Sequence, residues 1–234
     1  GYDRLNIDLM HGLPGQTVEQ AMDDLEQAVA LRPSHLSWYQ LTIEPNTEFH
    51  SRPPTLPEDE LLWSIQEQGQ RYLAEAGFSQ YEISAYSQEG EQSRHNLNYW
   101  RFGDYIGIGA GAHGKVTTAD SRQLLRRWKL RQPKAYMTAV LEQQRGLSGE
   151  EVIADEAIAL EFMMNVLRLQ QGVESDLFSR RTGRPISALE PGLLRAREQG
   201  LMEPSAERLA PTEQGRRFLN DLLELFLWTT GDAL

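Results

Sequence analysis

Over residues 5–10 the chain alternates, with Leu5, Ile7 and Leu9 on one face and Asn6, Asp8 and Met10 on the other, the period of a half-buried strand. Val18, Ala21, Met22, Leu25, Ala28 and Val29 then recur at helical spacing, which predicts a helix over 18–31. Thr17 and Gln20 form a capping box at its start, and Pro33 stops it. A second strand is predicted over 36–44, with Leu36, Trp38, Gln40, Thr42 and Glu44 on one face and Ser37, Tyr39, Leu41 and Ile43 on the other. Strand, helix and strand of this size form a crossover unit whose strands run parallel. In a (β/α) barrel Asn6, Asp8, Gln40, Thr42 and Glu44 then point inward, near the strand ends where such folds place their chemistry. A sheet with one solvated face gives the same pattern.

A second helix is predicted over 58–76, buried through Leu61, Leu62, Ile65, Tyr72 and Leu73 and closed by Gly77, with a strand near 80–86 after it. Read as a strand from Asp104, the next stretch places Tyr105, Gly107, Gly109, Gly111 and His113 on one face, a bare strip ending at His113. The partial barrel is expected to continue through Gly111. Residues 121–134, SRQLLRRWKLRQPK, hold six basic side chains and no acidic one. They read either as a solvated helix face or as an anion site, since arginine forks match carboxylates.

At RGLSGEE the character changes, and a boundary near Gly149 separates residues 1–148 from 149–234. Ser148 and Glu151 match a capping box for a long apolar helix to about 169. Short helices follow near 174–181 and 186–199, then a hairpin over 201–212 and a last helix from Thr212, apolar through Phe218, Leu219, Leu222, Leu223 and Phe226. That order is winged-helix-like.

Composition narrows the picture. At 234 residues, 40% of them hydrophobic, the chain can bury a core in one large domain or two small ones. A net charge of −11 opposes nucleic-acid binding, which draws its affinity from neutralised phosphates. The winged-helix-like tail with Arg180, Arg181, Arg184, Arg195 and Arg197 is the one feature favouring a DNA-binding regulator. No apolar run nears 18 residues and no signal-peptide pattern is present, so a soluble cytoplasmic protein without a transmembrane segment is expected. With zero cysteines, the chain offers no disulfide and no thiolate for zinc or an iron–sulfur cluster. It begins at Gly1, almost directly with a strand, and reads as part of a longer protein.

The densest chemistry lies between Arg94 and Gly114. HNLNYW brings an imidazole, two amides, a phenol and an indole together in six residues, a set suited to an aromatic, metal-bearing ligand such as a tetrapyrrole. A helix start packed into the fold uses the same residue types. Gly109, Gly111 and Gly114 fit G-x-G-x-x-G, but KVTTADS opens no helix, which excludes a dinucleotide fingerprint. GLPGQT lacks the lysine of a phosphate-binding loop.

Four motifs in order, NIDLMHGLPGQT, LSWYQLTIEPNTEF, HNLNYW and GDYIGIGAGAHG, resemble the C-terminal part of the radical-SAM haem chaperones of the HemW type, which are similar to the oxygen-independent coproporphyrinogen III oxidases. The resemblance covers essentially the whole chain. It implies an α/β fold: a partial radical-SAM (β/α) barrel truncated at its N-terminus, followed by a mostly helical, winged-helix-like C-terminal domain. Asp8, Thr42 and His113 match positions that contact S-adenosyl-L-methionine, and His95, with Tyr99 and Trp100 beside it, matches the haem-binding motif, His95 being the expected ligand of the haem iron. The family's C-x-x-x-C-x-x-C cluster loop is absent, so the 4Fe-4S cluster and S-adenosyl-L-methionine are implied only for a full-length protein. Without the cluster, this chain alone is expected to be inactive in radical chemistry. The resemblance further implies a haem chaperone that passes haem to an unidentified acceptor protein; the alternative is a SAM-dependent oxidative decarboxylase of coproporphyrinogen III. Half a barrel leaves a strand edge open beside residues 5–10, so the chain is expected to dimerise or aggregate.

Overall fold

A computed structural model describes residues 4–120 and 122–227; Ser121, at the head of the basic run, lies outside them. The chain divides into two compact units, Gly1–Arg94 and His95–Leu234.

The first unit opens with β1 (Asn6–His11), α1 (Val18–Ala30) and β2 (His35–Gln40). The capping box is present: Thr17 Oγ1 accepts from the Gln20 N–H, and Gln20 Oε1 accepts from the Thr17 N–H. A single turn α2 (Glu48–Ser51), a long α3 (Asp59–Glu75), and two short strands β3 (Ser79–Gln80) and β4 (Ala85–Ser87) complete it. The sheet order is β1-β2-β4-β3, with β1 and β2 parallel as expected and both other pairs antiparallel. Leu36 and Trp38 of β2 are buried with Ala21, Leu25, Ile65 and Leu73, and Ile7 and Leu9 pack against the same core. Gly69 of α3 is dictated by this packing, because a Cβ there would lie 1.9 Å from the Trp38 ring.

The register corrects the predicted inward face. Asn6 lies beside His35 and Asp8 beside Ser37, so the polar side of β1 continues into His35 and Ser37. Leu36, Trp38 and Gln40 are on the opposite side, the first two in the core, and β2 ends at Gln40, so Thr42 and Glu44 lie beyond the strand.

The second unit begins with α4 (Arg94–Trp100), followed by β5 (His113–Thr117), β6 (Leu124–Lys129), α5 (Pro133–Gln143) and β7 (Leu147–Val152). The three strands form an antiparallel sheet of order β5-β6-β7. Three expectations fail here. Residues 106–112 are irregular rather than a strand, because Gly109 and Gly111 take φ of +106° and +71°, outside the extended region. The centre of the basic run forms β6 rather than a helix face, and two of its six basic side chains are paired: Arg127 with Glu150 on the neighbouring strand, and Arg126 with Glu161 on the helix that follows β7. The predicted capping box at Ser148 and Glu151 lies inside β7, as does Gly149, whose missing side chain makes room for Trp128.

The remaining elements are α6 (Asp155–Val166), β8 (Val173–Glu174), α7 (Asp176–Thr182), a 3-10 turn (Ile186–Leu189), α8 (Glu190–Glu198), β9 (Arg208–Leu209), α9 (Glu213–Arg217) and α10 (Leu219–Glu224). Ile158, Phe162, Met163 and Val166 of α6 are buried, and Phe162 meets Phe102 and Phe178 edge to face at 5.5 and 5.1 Å. The last predicted helix is interrupted at Phe218, whose φ of −111° and ψ of 46° separate α9 from α10. Among the described residues no helix is long and apolar enough to cross a membrane.

Candidate functional site

In the first unit a polar chain runs behind Asp8. The Asn6 amide donates to Asp8 Oδ1 at 2.8 Å, and Asn6 Oδ1 accepts from Ser37 Oγ at 3.2 Å and lies 2.6 Å from His35 Nδ1. His35 Nε2 lies 2.7 Å from the Tyr81 hydroxyl. His35 is buried, and burial lowers its pKa, opposed by the Asp8 carboxylate. Both ring nitrogens are thus committed, and the imidazole acts as a strut for Asn6, which in turn orients an exposed Asp8. Thr42 is exposed and donates to Glu44 at 3.2 Å.

At the C-terminal end of β1, His11 is buried against Trp38, ring centroids 4.1 Å apart. Its Nδ1 is buried without a partner, a Gln66 hydrogen bond engages the ring, and burial pushes its pKa down to about 4. His11, Trp38, Gln40, Leu62 and Gln66 line a cavity of about 380 Å³.

In the second unit HNLNYW forms α4. His95 is exposed, and its imidazole meets the Tyr99 ring at 4.8 Å; Tyr99 lies 4.3 Å from Tyr105 and 6.5 Å from Trp100. The Trp100 indole N–H is buried without a hydrogen-bond partner, and the Arg168 guanidinium sits 4.2 Å over the ring. Asn98 donates to the Asp104 carbonyl at 2.9 Å and thereby ties α4 to the following turn. His113 is exposed at the start of β5, opposite Trp128.

The structure therefore brings His95, Tyr99 and Trp100 together and adds Tyr105 to them. It also adds His35, Ser37 and Tyr81 behind Asp8. Tyr105 and His35 were within reach of sequence reasoning, the first by its nearness to HNLNYW and the second by a one-residue correction of the β2 face. Tyr81 was not, because it reaches His35 across 46 positions of sequence.

The donor set suits haem: an exposed imidazole for the iron beside a wall of aromatic rings and a buried indole N–H that still lacks an acceptor. It does not suit an iron–sulfur cluster, for which the 234 residues supply no thiolate. Among the described residues no three His, Cys, Asp or Glu side chains gather as a metal site.

Residues 153–218 match the HemN C-terminal domain, and the whole fold resembles that of a solved Escherichia coli coproporphyrinogen III oxidase (HemN), described as a radical SAM enzyme, with a TM-score of 0.73 at 17% identity over 97% of this chain and 55% of that one. This likeness shows the fold. By sequence the chain belongs to the HemW family. It is 51% identical to the haem chaperone HemW of Escherichia coli K12 and 47% identical to that of Haemophilus influenzae, over 97% of this chain in each case. It is 31% identical to the Bacillus subtilis HemW over 97% of its length. The chain spans 58% of the length of the first two relatives and 60% of the third.

Proposed function

We propose that this chain is the haem-holding part of a cytoplasmic haem chaperone, which binds haem at α4 and passes it to an acceptor protein. The exposed His95 imidazole, set at 4.8 Å against Tyr99 in an aromatic cluster, carries this reading. His95 supplies the axial nitrogen to the haem iron, with Tyr99 and Trp100 in contact with the porphyrin. Asp8, held by Asn6, and Thr42 and His113 are the proposed contacts to S-adenosyl-L-methionine in a full-length protein, where a 4Fe-4S cluster would have ligands outside these 234 residues. Sequence identity supports the chaperone reading. The fold likeness alone supports the alternative, oxidative decarboxylation of coproporphyrinogen III.

Absorption titration of the purified chain with haem tests the reading. A Soret shift saturating near one haem per chain is expected, and His95→Ala is expected to weaken binding by roughly tenfold or more. An equal shift in wild type and variant removes His95 from the site. Haem binding by the full-length protein without turnover of coproporphyrinogen III decides between the two readings.

Among the described strands β1 pairs with β2 alone, and an open edge of this kind templates pairing with another chain. Self-association is therefore expected, seen as a dimer or larger species in sedimentation velocity and suppressed by Asn6→Pro, which removes a backbone donor at the edge strand's first position. A monomer at all concentrations overturns it.

A further inference from the structure

Lys115 is buried, 6% exposed, yet it carries an ammonium group in the sheet that follows the HNLNYW helix. Its Nζ donates to the Phe102 carbonyl at 3.2 Å, lies 3.9 Å over the Phe102 ring and is 3.6 Å from Asp104 Oδ1. These are the residues that turn the chain away from α4. Phe102 takes a left-handed φ of +54°, an uncommon conformation for a bulky side chain, and Gly103 donates back to the Asn98 carbonyl at 2.7 Å. Gly103 has no room for a side chain, since a Cβ would lie 2.1 Å from Asn98 Oδ1. The Asp104 carboxylate is itself fixed by the Thr117 N–H and hydroxyl, both at 2.9 Å. Tyr105 exchanges two backbone hydrogen bonds with Lys115, at 2.8 and 3.0 Å, and presents its ring to Tyr99.

We propose that Lys115 is a positioning residue for the haem site, fixing the turn from Phe102 to Tyr105 against which Tyr99, and through it His95, is set. This rests on α4 being the haem site. The energetic reason is that burying an ammonium group is costly, so a position that needed only bulk would be filled at less cost by an apolar side chain. What a lysine adds here is a fixed Phe102 carbonyl and a fixed Asp104. Sites held by such an outer layer lose affinity when that layer loosens, even though no contact to the ligand is removed.

The groups facing Lys115 are Asp104 on the turn, Glu161 on α6 and Arg181 on α7, with Tyr105 close by. Burial lowers the Lys115 pKa, partly offset by Asp104, so the ammonium loses its proton at a lower pH than an exposed lysine. Once neutral, it holds the Phe102 carbonyl and Asp104 less strongly.

The test is Lys115→Met in this chain, titrated with haem beside wild type and His95→Ala. Lys115→Met is expected to keep the far-UV circular dichroism of wild type with a lower thermal midpoint, since the Phe102 carbonyl loses its donor, to bind haem roughly tenfold more weakly, and to show an altered Soret position. Wild type is expected to show an alkaline change in that band which Lys115→Met lacks. Wild-type affinity and band position in a folded Lys115→Met overturn the proposal. Should Lys115→Met fail to fold, Asp104→Asn, at the Lys115 partner outside the aromatic cluster, decides: a moved band and weaker binding support the positioning role, and an unchanged band overturns it. If His95→Ala binds haem as wild type does, the reading of α4 fails instead; loss in His95→Ala with no change in Lys115→Met sinks the positioning role alone.

Discussion

Phe162→Ala is expected to destabilise the second unit by about 4 kcal/mol, the usual scale for removing a fully buried phenylalanine. Phe162 is 0% exposed, and its ring is met edge to face by Phe102 on one side and Phe178 on the other, at interplanar angles of 70° and 81°. Two such contacts add to the transfer free energy of the ring, because the positive edge of one ring meets the negative face of the next. The alanine would leave a void that α6 closes only in part, since Ile158, Met163 and Val166 on the same helix are already fully packed. Denaturant unfolding of wild type and variant measures the loss. A difference under about 1 kcal/mol would mean that the three phenylalanines do not form the centre of this core. Phe102 also links the measurement to function, because its carbonyl accepts from Lys115 and its backbone leads out of α4. Haem affinity is therefore expected to fall in Phe162→Ala even in buffer where the variant remains folded.

The first unit was legible because local and tertiary signals agree there. The Thr17 and Gln20 capping box, the apolar stripe of α1 and the Gly77 stop each needed only neighbouring residues, and the structure uses all three. The parallel pairing of β1 and β2 followed from the length of the crossover. The predicted β2 face fails because the alternation through Leu36, Trp38 and Gln40 does not continue into Thr42 and Glu44. Alternation holds only as far as the strand does, and β2 ends at Gln40. In the second unit the deciding interactions are distant in sequence. LLRRWK has helix-like spacing of its leucines and tryptophan, and nothing local shows that Arg127 will pair with Glu150 or Arg126 with Glu161. The glycine ladder misled for a different reason: its residues occupy conformations open to glycine and uncommon for other residues, and alternation presumes an extended backbone. Of the site, HNLNYW was visible as a cluster of chemistry. Lys115 was not, since a lysine between a glycine and a valine reads as exposed until its burial is seen.

Acid is expected to destabilise the first unit through His11. In the folded chain burial holds this imidazole neutral down to about pH 4, whereas in the unfolded chain it takes a proton near pH 6.5. Between these values the unfolded state binds more protons, so stability rises with pH and is lost as pH falls. The loss begins near pH 6.5 and is complete below about pH 4, with an upper limit of roughly 3 kcal/mol from one group at 1.36 kcal/mol per unit of pKa. His35 acts in the same direction, since burial also lowers its pKa, although Asp8 opposes the effect. Carboxylates titrating elsewhere contribute to any acid unfolding, and a variant separates them. His11→Phe keeps an aromatic ring against Trp38 but cannot be protonated, at a cost of about 1 kcal/mol near neutral pH from the lost Gln66 hydrogen bond. Urea unfolding at pH 7.5 and pH 4.5 is expected to show a smaller drop in stability for His11→Phe than for wild type, the difference amounting to about 2 kcal/mol. Equal drops would mean that His11 is protonated in the folded state, and its ring could then not be sealed between Trp38 and the side chains of α3.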